Sequence, residues 1–390
     1  MAQMHDIVVV GAGISGAATA YYLKKVGVKN VALFERDSAA AGGTGKSAAI
    51  VRQHYSTALM VRVALESVNI FRDLEAELEM DVGYAPVGYV FLTPGDSVET
   101  TKRNVEAQRK LGVETEWLTP QQLADRFSWL NVEGLVGGAY EPRGGYADPV
   151  RAVDAYLAAF QRLGGKYHGG EACRALMRPN GKVTGIVTDS GCVGAGLVIN
   201  AAGPWAPFLA SQAAIPLQMR SVREQDTIWE GKAGRDLPEL SVSAGFDAFY
   251  MRPMGDRRYV IGRGFPKDYE DVDPYNFKTT ADDKFIADVA ERFERRIPGL
   301  AGARLIHSYA SLYDVSADWY PYVGPRADVR GYCDFNGGSG HGFKIAPGLA
   351  RGLATWIVSG KVPFEEFGRL AYDRVLEGKP IQQSYGGNRG

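Results

Sequence analysis

Three glycines, Gly11, Gly13 and Gly16, stand in the run "VVVGAGISGAATA", and a carboxylate, Glu35, follows the last of them by 19 residues. The spacing G-x-G-x-x-G brings a pyrophosphate against bare backbone. The first glycine permits a tight turn, the second lets the chain approach the phosphates, and the third allows strand and helix to pack closely. A helix that starts here aims unpaired N–H groups at the anion. Glu35, at the end of the following strand, accepts hydrogen bonds from ribose hydroxyls and repels a 2′-phosphate. Ala12, Ile14 and Ser15 complete the turn and Arg36 follows the acid, so all four are expected to border the same ligand.

A second glycine-rich stretch, "NGGSGHGFKIAPGLARG" at 336–352, lies near the other end of the chain. Gly337, Gly338, Gly340 and Gly342 let backbone N–H groups crowd a flat, electron-poor ring, and a helix expected to start near Ile345 directs its positive end there. A flavin needs that environment, because its reduced form carries negative charge along one edge. Lys344, at the end of the loop, can place an ammonium beside a substrate, and His341 can donate to a ring oxygen. The first glycine triplet fits NAD as well as FAD. The small-residue loop "AAGGTGKSAAIVRQHYS" at 40–56 favours FAD, a longer cofactor, with Gly43, Thr44, Lys46 and Ser47 along its path.

These residues need a scaffold, and the sequence sketches one. Ile7 to Val10 form a continuous apolar run suited to a parallel strand buried on both faces. Ala17 to Leu23 read as a helix and Val31 to Phe34 as the next strand. A long amphipathic helix is expected in "STALMVRVALESVNIFRDLEAELEM". Shorter helices are expected after Thr119-Pro120 and Asp148-Pro149, where a capping side chain precedes proline. "GKVTGIVTDSGCVGAGLVINAAGPWA" reads as strand, turn, strand and a small-residue turn, and "FDAFYMRPMGDRRYVIGRGF" as a hairpin around Gly255-Asp256. Dinucleotide-type pieces at both ends, with strand-rich segments between, predict an α/β chain of two interleaved domains. Segments 1–82, 146–215 and 321–390 would form a Rossmann-like cofactor domain, and 83–145 and 216–320 a mostly antiparallel sheet domain.

Composition removes other classes. A formal net charge of −1 over 390 residues gives no bulk attraction to nucleic acid or to an anionic membrane. No uninterrupted apolar run reaches the ~18 residues needed to span a bilayer, and the N-terminus lacks the basic region of a secretory signal. Cys173, Cys192 and Cys333 are scattered and odd in number, which fits reduced thiols in the cytoplasm. The five histidines lack metal-ligand spacing, so no metal is expected. No G-x-S-x-G elbow is present. Trp205, Trp319 and Trp356 read as core.

The stretches "VVVGAGISGAATAYYLKKVGVKNVALFER", "GKSAAIVRQHYS", "VINAAGPWA", "FYMRP…YVIGRG" and "GGSGHGFKIAPGLARGLATWIVSGK" resemble the FAD-dependent D-amino-acid oxidase superfamily, within it the sarcosine oxidase and glycine oxidase branch. The likeness runs nearly end to end. It implies a glutathione-reductase-type FAD domain interrupted by a sheet domain. It also implies oxidation of an N-methyl or other secondary amino acid by hydride transfer to flavin N5, giving an imine that water hydrolyses. Position by position, it places Arg52 and Lys344 at the substrate carboxylate and Tyr250 and Arg252 at the pocket border. Cys173, Ala202, Gly203 and Trp205 fall beside the cofactor. Three departures stand out. The family's covalent flavin cysteine falls near Ala310, which implies non-covalent FAD. Its oxygen-activating lysine falls near Val260, which leaves oxidase and dehydrogenase both open, with Lys46 as a substitute cation. Basic and histidine residues before the "IVR" segment are replaced by Gly45 and Ala49. The partners implied are a small amino acid and oxygen or another electron acceptor. Alternatives are an FAD-dependent 2-hydroxy-acid dehydrogenase, a D-amino-acid dehydrogenase, and a non-catalytic FAD-binding subunit.

Overall fold

The structure, a computed structural model, describes residues 3–382. Its first sheet has a parallel centre. Strands Tyr332–Asn336, Gly191–Asn200, Gln3–Val10, Val31–Glu35 and Lys166–Gly169 lie side by side in that order, all pointing one way. Strands Tyr322–Pro325 and Gly185–Thr188 add antiparallel pairings. Val8 and Val9 are fully buried, as a strand covered on both faces requires. The carboxyl ends of the five parallel strands converge on one edge, where open α/β sheets bind ligands. Glu35 closes one of those strands, and Gly11, Ala201 and the 337–341 loop follow directly from the ends of three others.

Helices Ile14–Lys25, Ala58–Leu78, Pro149–Arg162 and Gly342–Ser359 share a core with this sheet. The expected caps are present: Thr119 and Asp148 accept from backbone N–H groups one turn on, each with proline at the first helical position. The last helix starts at Gly342 rather than near Ile345, so Lys344 lies in its first turn and not in the loop. Its internal Pro347 forfeits one helical hydrogen bond. Ser67 supports that gap: its Oγ donates to Ile345 O (3.2 Å) and accepts from Gly348 N–H (3.0 Å). Gly348 is what lets the two helices come so close, since a Cβ there would meet Val63 O at 2.7 Å.

The second sheet has nine strands and is antiparallel apart from the pairing of Ser241–Ala244 with Tyr89–Leu92. Strands Met219–Glu230 and Arg304–Ser316 pair along almost their whole length. The expected hairpin is Phe249–Pro253 and Arg258–Arg263. One face of this sheet carries Val90, Val242, Met251 and Ile261, which pack with Val289 and Phe293 of helix Asp283–Arg296. The other face looks toward the carboxyl edge of the first sheet. A two-stranded ribbon, Ile50–Val51 with Gly145–Tyr146, carries Arg52 into the space between them.

Candidate functional site

A cavity of about 530 Å³ lies between the two sheets. At one end it is bounded by the glycine turn. Gly11 has φ +101°, and a Cβ there would lie 2.5 Å from Ala201 O; one on Gly16 would lie 1.8 Å from Gly11 O. Both positions therefore exclude any side chain. Glu35 folds back on the turn, its carboxylate accepting from Ala12 N–H (2.8 Å) and Asp37 N–H (2.9 Å). Thr44 Oγ1 accepts from Ile14 N–H at 3.2 Å, which fixes the 40–47 loop over the helix start. Ser15, Gly43, Lys46 and Ser47 line the same end. Arg36 lies 4.7 Å over the Trp205 ring, so Trp205 borders the cavity rather than filling a core.

Tests of fit to FAD come from the geometry itself. Trp205 Nε1 is buried without a hydrogen-bond partner among the described residues. Gly203 and Gly342 line the cavity with nothing within 4 Å of where a Cβ would sit, which leaves room for a flat ligand against their backbone. The carboxylate, the helix start and the bare backbone supply the donor and acceptor set a dinucleotide needs. Ala202, Gly338, Gly340 and His341 complete this lining, and Cys173 lies on it with its thiol pushed up to about 12, chiefly by burial.

The second glycine loop is held by Asp314. Its Oδ2 accepts from Gly337 N–H (2.8 Å) and Gly338 N–H (3.1 Å), and its carbonyl accepts from Ser339 N–H (3.0 Å). Gly337, Ser339 and Gly340 all take positive φ, so the loop doubles back before the helix. Lys344 then faces the cavity, buried, with no chain acceptor at its ammonium among the described residues. Burial, and then the charge of Arg52, hold its pKa well below the ordinary lysine value. Arg52 thus lies close enough to repel it, although 292 positions separate the two in the chain. Arg52 donates to His54 O and lies 4.6 Å over the Tyr55 ring. Behind it, the buried Glu141 accepts from Gln53 N–H at 2.7 Å; burial raises its carboxyl to about 7 against the pull of that bond and of Arg52.

The sheet wall follows from strand register. Phe91, Ser243, Tyr250, Gly262, Asp226 and Tyr309 form one cross-strand row, each paired with the next. Register partners share a face, and Phe91, Ser243, Tyr250 and Asp226 all line the cavity. Tyr250 Oη reaches across Gly262 and donates to Asp226 Oδ1 at 2.8 Å. A Cβ on Gly262 would lie 2.3 Å from that hydroxyl and 2.5 Å from that carboxylate oxygen, so only glycine leaves room for the bond. Glu224, two residues from Asp226 and hence on the same face, is ion-paired to Lys267 at 2.6 Å. Arg252 turns from the cavity lining and donates to Ala48 O (2.6 Å).

Two expectations need correction. Ala310 pairs with Gln225, out of phase with Asp226 and Glu224, so it faces away from the cavity; Ser311 is the residue that lines it. Val260 is not on the cavity lining; the lysine the sheet domain places there is Lys267, which the sequence reading passed over. Asp226, Glu224, Lys267, Asp314 and Glu141 were also missed. For Glu224 and Asp226 a signal existed: two acids at strand period 2 in "REQDT".

The family model described as "DAO: FAD dependent oxidoreductase" matches residues 6–356. The chain is 25% identical over 391 residues to sarcosine oxidase subunit beta of Rhodobacter capsulatus, covering 98% of this chain and 91% of that protein. It is 26% identical over 422 residues to mitochondrial dimethylglycine dehydrogenase of Mus musculus, covering 98% of this chain and 46% of that longer protein. Among solved structures, L-proline dehydrogenase from P. horikoshii superposes with a TM-score of 0.89 at 25% identity, over 98% of this chain and 100% of that one.

Proposed function

The chain belongs to the DAO family of FAD-dependent oxidoreductases, and from that premise we propose that it oxidises a secondary amino acid, N-methylated or cyclic, to an imine that water then hydrolyses. The observation that carries this reading is that Lys344 and Arg52 both line the cavity close enough to repel one another, with no carboxylate among the described residues taking up the lysine's charge. A desolvated ammonium beside another cation is costly unless an anion arrives. A substrate carboxylate supplies it: Arg52 offers a planar fork and Lys344 a point charge. The named substrates of the relatives, sarcosine, dimethylglycine and L-proline, support the amine class.

FAD, when bound, supplies the acceptor for one hydride, that is, two electrons and a proton. The chain would hold its nucleotide with Gly11 to Gly16, Glu35 and Thr44, and its ring with the 338–342 backbone. Arg52 and Lys344 orient the substrate by its acid group, Tyr250 bounds it from the sheet, and the buried walls exclude water from the reacting carbon. The absence of a thiol at Ala310 and Ser311 supports non-covalent binding. Lys267, ion-paired to Glu224, and Lys46 are the two lysines that could assist reaction with oxygen. The two sheets support the proposed division into a cofactor domain and a substrate domain.

The test is anaerobic titration of the FAD-loaded protein with N-methylglycine, N,N-dimethylglycine, L-proline, D-alanine and L-lactate, followed by air. Bleaching by the secondary or tertiary amines is the expected result. Bleaching by L-lactate alone would replace the proposal with hydroxy-acid oxidation, and the return of colour in air separates oxidase from dehydrogenase.

A further inference from the structure

A secondary amino acid reaches the cavity as a zwitterion, its ammonium protonated because such amines have pKa values of about 10. That nitrogen has no lone pair to push a hydride off the neighbouring carbon until it loses a proton. Among the described residues five carboxylates line the cavity, and four are committed elsewhere. Glu35 accepts from Ala12 and Asp37 N–H groups, and Asp37 lies at the same nucleotide end, ion-paired to Arg36 at 2.9 Å. Asp314 holds the Gly337 and Gly338 amides, and Glu224 is paired to Lys267. The fifth, Asp226, is 4% exposed and makes a single side-chain hydrogen bond among the described residues, to Tyr250 through Oδ1.

We propose that Asp226 is a catalytic residue that accepts the proton of the substrate ammonium, held in place by Tyr250, so that the site selects amino acids entering as zwitterions. The inference rests on the amine-oxidation reading and assigns it a base. In the step, an N–H bond of the ammonium breaks, its electron pair stays on nitrogen, and an O–H bond forms on Asp226. The freed lone pair becomes the second bond of the imine as a hydride leaves carbon for the oxidised cofactor. The cavity is thereby polarised, with Arg52 and Lys344 for the carboxylate and Asp226 for the ammonium.

The surroundings suit the task. Glu224 faces Asp226 from its own strand, Tyr250 and Arg252 from strand Phe249–Pro253, Tyr309 and Tyr313 from strand Arg304–Ser316, and Lys267 from the segment after strand Arg258–Arg263. Arg263, at the end of that strand, is turned to Asp288 (2.7 Å). Burial first, then Glu224, push the Asp226 carboxyl up to about 7, against the Tyr250 bond, Lys267 and Arg252. The acid therefore changes charge near neutral pH, where a general base works best. Gly262 is the structural trace of the arrangement: a bare position kept under the bond.

The experiment compares wild type, Asp226→Asn and Tyr250→Phe, each FAD-loaded, by FAD content and by the anaerobic bleaching rate with L-proline and N-methylglycine from pH 5 to 9. Wild type should show an acid limb. Asp226→Asn should keep its FAD, lose that limb and slow by about 10²-fold at neutral pH. Tyr250→Phe should move the limb to higher pH, because the lost donor had favoured the carboxylate. A second readout needs no turnover: binding of 2-aminoisobutyrate, which has no hydrogen on its α-carbon, should raise a carboxylic-acid C=O band in the infrared difference spectrum of wild type and not of Asp226→Asn. An unchanged limb in Asp226→Asn, or the same band in both proteins, overturns the assignment and leaves amine oxidation standing. A wild type that no amine bleaches overturns both.

Discussion

Replacing Lys344 with Met should make the substrate-free protein more stable and the substrate complex much weaker. Lys344 is 8% exposed and has Arg52, not an anion, as its charged neighbour. Its pKa in the fold lies below the unfolded value, so between those two pH values the unfolded chain binds the extra proton. Stability therefore rises as pH climbs through that window, because the fold disfavours the protonated lysine. Exchanging a buried charge for an apolar side chain of similar size commonly stabilises by about 1–4 kcal/mol. With about 2 cal/mol/K of unfolding entropy per residue, a chain of 390 residues should gain roughly 1–5 °C in Tm. Binding moves the other way. Losing one buried, charged partner of a carboxylate costs about 2–5 kcal/mol, which weakens Kd by roughly 30- to 4,000-fold. Differential scanning calorimetry of the FAD-loaded protein and titration with pyrrole-2-carboxylate, followed by flavin absorbance, measure the two effects. A variant that melts lower than wild type, or binds the carboxylate equally well, would refute the idea that the cation pair is held strained for an acid group.

Two further changes probe the supports of the site. Glu141 has its carboxyl raised to about 7 from an unfolded value near 4.5, so the folded state keeps a proton the unfolded state releases, and stability falls as pH rises through that window. Glu141→Gln should remove a loss on the order of 3 kcal/mol and flatten the Tm profile between pH 5 and 7; an unaltered slope by scanning fluorimetry would count against it. Asp314→Ala strips the acceptor from two loop amides, which costs about 1–3 kcal/mol for each one left unsatisfied. FAD affinity, measured by fluorescence quenching, should drop by at least tenfold, while full retention would show that the loop holds its shape unaided.

Signals confined to a few neighbouring residues were readable in the sequence, and those assembled across it were not. The Gly11–Gly16 turn, Glu35, and the caps at Thr119 and Asp148 each express a local rule, and each element formed where expected. The helix at 342 began three residues early because Gly342, a residue type that suits a loop, also tolerates the first helical position. The sheet wall was hidden for a different reason. Its row runs from Phe91 to Tyr309, and only the pairing of six strands reveals that Tyr250, Gly262 and Asp226 touch. The displaced Ala310 shows how sharp that dependence is: moving by one residue along a strand exchanges the cavity for the opposite face.

The proline inside the closing helix bears on how the site is supported. It leaves the turn that carries Lys344 one hydrogen bond short of the rods around it, with the hydroxyl of Ser67 serving as a peg at the break. Lys344 sits just before that break, and Arg52 just past the ribbon strand Ile50–Val51. In the proposed clamp, the lysine jaw is therefore the one whose backing hangs on a single side chain.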